Sequence, residues 1–232
     1  MSAKEYRRRD VISLYYGGET IASNKINQAI ADALSTNEER KFVETVEVAI
    51  NLKDVDLQNP QKRISAEVAL PHGRGRPARV AVFAQGEMAV ISKKVVDTVI
   101  SPEQIDELSE NKREARKLAG RFDFFVAETG LMANIGKSLG VVLGPRGKMP
   151  RPIPPQADIE RIIKGLTNLV PVRSKDRPTF HVPIGNVSMP QEQLAENLET
   201  ILKRVESSLD RGYDNIASVW VQTTMGKSVR LQ

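Results

Sequence analysis

The two ends of this sequence share one texture and its middle has another, and that return limits the possible folds more than any other feature. From Ser23 the apolar residues Ile26, Ala29, Ile30, Ala33 and Leu34 recur at helical spacing and form one stripe. The following TVEVAINL alternates instead. Val46, Val48, Ile50 and Leu52 share one face and Thr45, Glu47 and Asn51 the other, which predicts a half-buried strand. Near the other end TFHVPIG repeats the alternation, with Phe180, Val182 and Ile184 opposed to Thr179 and His181. Behind it Ser188 and Gln191 suit a capping box, and Leu194, Leu198, Ile201, Leu202, Val205 and Leu209 form a long helical stripe. IASVWVQTT and SVRL then read as a β-hairpin around Met225-Gly226-Lys227.

Between the ends, VAVFA (Val80–Ala84) and FDFFVAE (Phe122–Glu128) are nearly continuous apolar runs, as expected of strands buried on both faces. A helical stretch from Pro102 to Leu118 separates them, so the middle reads as a parallel α/β unit. Gly/Pro-rich segments bracket it, LPHGRGRPAR (Leu70–Arg79) and LGPRGKMPRPIPPQ (Leu143–Gln156). The economical architecture has two domains, one α+β and one α/β. Residues 1–71 and 158–232 build a discontinuous α+β domain from both chain ends, and an α/β domain is inserted at 72–157.

Composition excludes several functions. The 232 residues contain no cysteine, so disulfides and thiolate metal sites are ruled out, which fits a reducing compartment. His72 and His181 are too few for a histidine-built metal centre. No apolar run approaches the roughly 18 residues of a membrane helix. MSAKEYRRRD has no apolar stretch behind its charges, so it does not read as a secretory signal; it reads as frayed or ordered only against a partner. The net charge of +5 is unevenly spread: residues 72–157 carry 14 Lys and Arg against 9 Asp and Glu, and the remainder has 20 of each. Charge alone therefore assigns a polyanion to the insert.

TGLMANIGKS (Thr129–Ser138) follows a strand, as a phosphate-binding loop does. Its five residues between Gly130 and Gly136 exceed the four that let backbone N–H groups converge on one phosphate. No apolar strand ending in Asp is present to hold magnesium. The alternative is a surface Lys137 on a helix packed through Leu131, Ile135 and Leu139. LGPRGKMPRP carries Arg146, Lys148 and Arg151 without a carboxylate, which suits either a phosphate backbone or a solvated hinge. QTTMGKSVR is either an ordinary hairpin tip or an RNA contact. Thr223, Thr224 and Ser228 can bond 2′-hydroxyls and phosphates, Gly226 admits close approach, and Met225 can lie on a sugar or base. In KFVETVE, Glu44 and Glu47 face opposite ways on a regular strand, which defeats paired-acid catalysis. Carboxylates beside a stacking Phe42 suit guanine edges or ribose hydroxyls instead. Without a Ser/His/Asp set or a metal-ligand cluster, the chain reads as a non-enzyme with no cofactor.

These segments, in this order, resemble one family: the stalk-forming first protein of the large ribosomal subunit (large-subunit ribosomal protein L-one). The likeness runs from FVETVEV through VALPHGRGR, KSLGVVLGPRGKMPRP and FHVPIG to TTMGKSVR, and NLKDVDLQNPQKRI (Asn51–Ile64) resembles the archaeal branch. The first thirty or so residues match least. The resemblance implies a Rossmann-like insert that binds no nucleotide, and a protein of the cytoplasmic ribosome that is monomeric when free. It implies binding to a junction of large-subunit ribosomal RNA, assistance in releasing deacylated tRNA from the exit site, and repression of translation through its own mRNA.

By motif position, the family's RNA-binding residues fall at Phe42, Thr45, Glu47, Ser218, Thr224, Met225 and Gly226. Lys41, Lys175, His181 and Lys227 are their implied neighbours, with Thr223 and Ser228 from the hairpin tip. The resemblance thus puts the RNA surface on the terminal domain, against the charge count. Recognition of RNA shape through 2′-hydroxyls needs no large net charge. The insert's excess is left for a second, weaker RNA contact at Arg146, Lys148 and Arg151. A regulatory RNA-binding protein acting away from the ribosome would present the same residues.

Overall fold

A computed structural model describes residues 14–16, 19–21, 23–35, 40–96, 98–154 and 158–231; the polar first ten residues lie outside these. In chain order, β1 (Leu14–Tyr16), β2 (Glu19–Ile21), α1 (Ser23–Ser35), β3 (Thr45–Leu52) and β4 (Ser65–Ala69) come first. Then follow β5 (Val80–Phe83), α2 (Gly86–Ser92), β6 (Val99–Ile100), α3 (Pro102–Glu110), α4 (Lys112–Arg121) and β7 (Phe124–Glu128). Next are α5 (Met132–Ser138), α6 (Gly140–Leu143), β8 (Arg151–Ile153) and α7 (Ile159–Thr167). The last elements are β9 (Leu169–Arg173), β10 (Thr179–Asn186), α8 (Gln191–Glu206), β11 (Ile216–Thr223) and β12 (Val229–Arg230). They divide into two compact units, Met1–Arg76 with Val170–Gln232, and Pro77–Leu169. No described helix is long and apolar enough to cross a membrane.

The terminal unit is built on an antiparallel sheet of order β10-β3-β11-β12. β3 lies between β10 and β11, with Val48 opposite Val182 on one side and Val221 on the other. The period-two apolar faces of these strands pack on Ile26 and Ile30 of α1 and on Leu194, Leu198, Ile201 and Val205 of α8. Each such side chain contributes about 1.5–3 kcal/mol when fully buried. The helices cover one face only, which is why the strands alternate rather than run continuously apolar.

The entry to α8 differs from expectation. Pro190 is the N-cap and no side chain caps the helix. The Ser188 hydroxyl donates to Asn186 Oδ1 at 2.8 Å, within a turn closed by Met189 N–H on Asn186 O at 3.1 Å. That turn draws Ser188 away from the helix end, and Gln191 Nε2 donates instead to Asn27 O on α1 at 2.5 Å.

In the other unit the sheet is parallel, of order β6-β5-β7-β8. Ala81, Phe83, Phe125 and Ala127 pack on one side against α3 to α6. Val80, Val82, Phe124 and Val126 pack on the other against Met88 of α2 and Ile159, Ile163 and Leu166 of α7. Both faces are buried, so the central strands run almost continuously apolar, from Val80 to Phe83 and from Phe124 to Ala127. The single helix expected over Pro102–Leu118 is two. Asn111 ends α3, and its side chain accepts the Glu114 N–H at 3.3 Å to start α4.

The second unit begins at 77 and ends at 169, where the sequence pointed to 72 and 157. At its start, buried Asn197 of α8 accepts the His72 N–H at 3.2 Å and donates to Gly73 O at 2.8 Å. Asn186 donates to Gly75 O at 3.1 Å, so residues 72–76 are tied to the terminal unit. At its end, α7 buries Ile159, Ile163 and Leu166 under β5 and β7. A Gly/Pro-rich stretch marks a loop, and the packing of the next helix decides which domain that loop closes. Within these limits the charge contrast between the units is smaller. Pro77–Leu169 carries 14 Lys and Arg against 11 Asp and Glu, and the remainder 20 against 18.

Candidate nucleic-acid interface

The face of the terminal sheet away from α1 and α8 carries polar side chains in register. Thr179, Asn51 and Ser218 form one row, His181, Ala49, Trp220 and Arg230 the next, and Pro183, Glu47 and Gln222 a third. Asn51 Nδ2 donates to Ser218 Oγ at 2.7 Å, and Thr179 Oγ1 donates to Asn51 Oδ1 at 2.6 Å. Trp220 Nε1 also donates to Ser218 Oγ at 3.1 Å, while the Arg230 guanidinium sits over the Trp220 ring at 5.8 Å. His181 Nδ1 is 3.9 Å from Glu47 Oε2. From Ser218 to Thr224 the strip runs about 20 Å at the usual strand rise.

The strip ends in an apolar tip whose backbone is held tightly. Phe42, Val43 and Met225 are 54%, 62% and 60% exposed, large side chains left in water at one end of a well-packed sheet. Beside them Glu44 is only 1% exposed. Its carboxylate accepts the Met225 N–H at 3.0 Å and pairs with Arg40 Nε at 3.0 Å. The Met225 N–H holds the Glu44 carboxyl below the ordinary carboxylate range, helped by Thr223 and Arg40 and opposed by burial. The Thr224 hydroxyl accepts the Thr45 N–H at 3.1 Å and lies 3.2 Å from Thr45 O, while Thr224 N–H donates to the same carbonyl at 3.0 Å. A Cβ at Gly226 would collide with the Thr223 hydroxyl, and Thr223 is fully buried. The loop is therefore fixed before any partner arrives, which lowers the ordering cost of binding.

Of the residues singled out in the sequence, Phe42, Thr45, Thr224, Met225 and Gly226 come together at this tip, with exposed Lys41, Lys227 and Ser228 in the same segments. Glu47, His181 and Ser218 lie along the strip. Two placements differ from the expectation of free contact groups. Thr223 points into the interior, so its hydroxyl shapes the loop. Lys175 sits in the β9–β10 turn with φ 50°, beyond the opposite end of β3, away from the tip.

Arg40 and Glu44 escaped the sequence reading as a positioning pair, because an acid one residue before a strand carries no signal of burial. Trp220, Asn51, Thr179 and Arg230 were findable. Period two puts Trp220 on the polar side of a strand whose Val219 and Val221 face the core.

The profile of the ribosomal protein L1p/L10e family matches residues 34–227. The chain belongs to that family. Among its relatives is the large ribosomal subunit protein uL1 of Methanothrix thermoacetophila, 51% identical over 207 residues, which cover 89% of this chain and 98% of the relative. The uL1 of Archaeoglobus fulgidus is 48% identical over 212 residues, 91% of this chain and 99% of that one. That of Thermoplasma acidophilum is 46% identical over 209 residues, 90% and 96%. The ribosomal protein L1p/L10e family is structural and non-enzymatic.

Met132–Ser138 is helical, with Leu131, Ile135 and Leu139 buried and Lys137 exposed in the last turn, so no loop cradles a phosphate there. Among the described residues no cluster of His, Asp and Glu suits a metal ion. Lys148, expected at a second RNA contact, caps α4: its ammonium donates to Ala119 O at 2.8 Å and Phe122 O at 2.7 Å. Arg151 lies over the Phe124 ring at 5.7 Å, where burial lowers its pKa, and Arg146 donates to Val142 O at 3.0 Å. The three cations serve the loop's own fold first.

Proposed function

We propose that this chain is a structural constituent of the large ribosomal subunit, acting in the cytoplasm on archaeal-type ribosomes and monomeric when free. Its terminal unit is the RNA-binding domain, interrupted by a Rossmann-like domain. The RNA is a junction in large-subunit ribosomal RNA at the mobile stalk. From that position the chain assists release of deacylated tRNA from the exit site, and a similar fold in its own mRNA gives translational repression.

One observation carries this reading: the open sheet face ending in Phe42 and Met225, whose loop Glu44 and Thr224 hold rigid. Apolar side chains kept exposed at a fixed tip suit a flat partner such as a ribose or base. The polar strip suits 2′-hydroxyls, which accept and donate in the shallow minor groove of RNA. Glu47, His181, Ser218, Lys41, Lys227 and Ser228 supply hydrogen-bonding groups and charge along the strip and at its tip. Lys175 is left as a contact only for an RNA that extends beyond the far end of β3.

Binding of the full chain to a ribosomal RNA fragment holding the stalk junction, against a scrambled RNA, tests the proposal. A preference of roughly a thousandfold that survives moderate salt is expected for structure-specific recognition. Equal, steeply salt-dependent affinity for both RNAs would reduce the surface to general electrostatics.

A further inference from the structure

The Pro77–Leu169 unit has both faces of its sheet covered by helices, and α4 presents an unusual outer surface. The sequence KREARKLAGR places Lys112, Arg113, Arg116, Lys117 and Arg121 on ten residues with a single carboxylate, Glu114. Ala115 and Ala119 face the core, and all five cations are exposed. Arg113, Arg116, Lys117 and Gly120 follow one another at i, i+3, i+4 and i+7, one outer stripe.

This pattern works against the helix that carries it. Lys112–Arg116, Arg113–Lys117 and Lys117–Arg121 are like-charged pairs one turn apart, each of which destabilises a helix. Lys112 and Arg113 sit in the first turn, where the helix dipole favours acids. Among the described residues, no carboxylate lies within ion-pairing distance of Lys112, Arg113, Arg116 or Lys117. Four of the unit's eleven acids lie on the preceding α3, where Glu103, Asp106, Glu107 and Glu110 are exposed. Gly120 continues the same stripe. It has ordinary helical backbone, and nothing lies within 4 Å of a Cβ placed on it, so no packing within the fold requires a glycine there. A helical glycine without an internal reason leaves bare backbone for close approach from outside.

We propose that the outer face of α4 is a second RNA-binding surface, one that grips the phosphate backbone without reading sequence. Arg113, Arg116 and Lys117 neutralise phosphates, Gly120 lets the strand come close, and the acidic α3 repels it and so sets its direction across the unit. The proposal rests on the RNA reading above only for the class of polyanion; the surface is separate from the sheet face. It moves the second contact from Arg146, Lys148 and Arg151 to cations that the fold does not use.

The test uses the full chain and a fully paired RNA duplex of arbitrary sequence, beside the stalk junction, at several salt concentrations. Replacing Arg113, Arg116 and Lys117 together by Gln should weaken duplex binding about tenfold at low salt and make the log–log salt slope shallower by about 2 to 3. Gly120→Glu, which adds a carboxylate in open space and a better helix former, should weaken duplex binding about threefold without lowering Tm. Junction binding at moderate salt should change less than about twofold in both variants, because base and 2′-hydroxyl contacts lie elsewhere. Unchanged duplex affinity and salt slope would overturn the proposal. So would a concentration-dependent dimer that the triple substitution dissolves while duplex affinity holds, since α4 would then face α3 of a second copy. If the wild-type chain binds junction and duplex equally, the sheet-face reading fails, and the α4 result still stands on the duplex alone.

Discussion

In the terminal unit, a four-stranded antiparallel sheet packs one face on α1 and α8 and leaves the other open. In the inserted unit, a four-stranded parallel sheet is covered by helices on both faces. The first arrangement places a rigid, polar strip in solvent at little cost, because alternate side chains of the same strands already anchor it. The second leaves helix exteriors and loops for contact. Surface chemistry follows this division: hydrogen-bonding groups in fixed register on the sheet, and exposed cations on α4. Net charge separates the two units poorly, since their excesses are +2 and +3 from counts of 20 against 18 and 14 against 11.

The strongest way to break the comparison is to unfold one unit and read the other. Phe125→Ala removes a buried ring that stacks on Phe83 at 5.8 Å and should destabilise the inserted unit by about 3–5 kcal/mol. Affinity for the junction RNA should stay within about twofold. Thermal unfolding and RNA binding measured on the same variant decide it, and a matching loss of RNA binding would merge the two units into one. A smaller effect is expected at the tip. Gly226→Ala forces a methyl against the buried Thr223 hydroxyl, shifts the loop, and should weaken junction binding by roughly tenfold or about 1.4 kcal/mol, with little change in duplex binding.

Thr224→Val sharpens the role of one hydroxyl. Because that hydroxyl is bonded to the Thr45 backbone, its loss should cost about 1 kcal/mol of RNA affinity by loosening the loop, and Thr224→Ser should restore most of it. If Thr224→Val binds normally, the backbone pair between Thr224 and Thr45 suffices.

The smallest effect is acid sensitivity. The folded pKa of Glu44 lies below its ordinary 4.5, so its contribution to stability is complete above that value and is lost as pH falls through the folded value. The drop in junction affinity on acidification should therefore be steeper for the wild type than for Glu44→Gln. Parallel pH profiles would remove Glu44 from the positioning of Met225.

Much of this architecture was legible along the chain. The alternation of Thr45–Leu52 and Thr179–Asn186 fixed which side chains face the core, because strand geometry sends neighbours to opposite faces whatever the fold. The unbroken apolar runs at Val80–Phe83 and Phe124–Glu128 likewise required cover on both sides. Composition excluded thiolate chemistry, and the Gly130–Gly136 spacing argued against a nucleotide loop.

What the chain order could not supply depends on partners distant in sequence. The limits of the inserted unit follow from Asn197 reaching back to His72 and Gly73, and from α7 docking under β5. Glu44 becomes a lock on Met225 only because residues 181 positions apart meet across the sheet edge. Lys148 reads as a free cation until α4 ends beneath its ammonium. Local pattern sets the face on which a side chain lies; only packing decides whether its polar groups are left free for a partner.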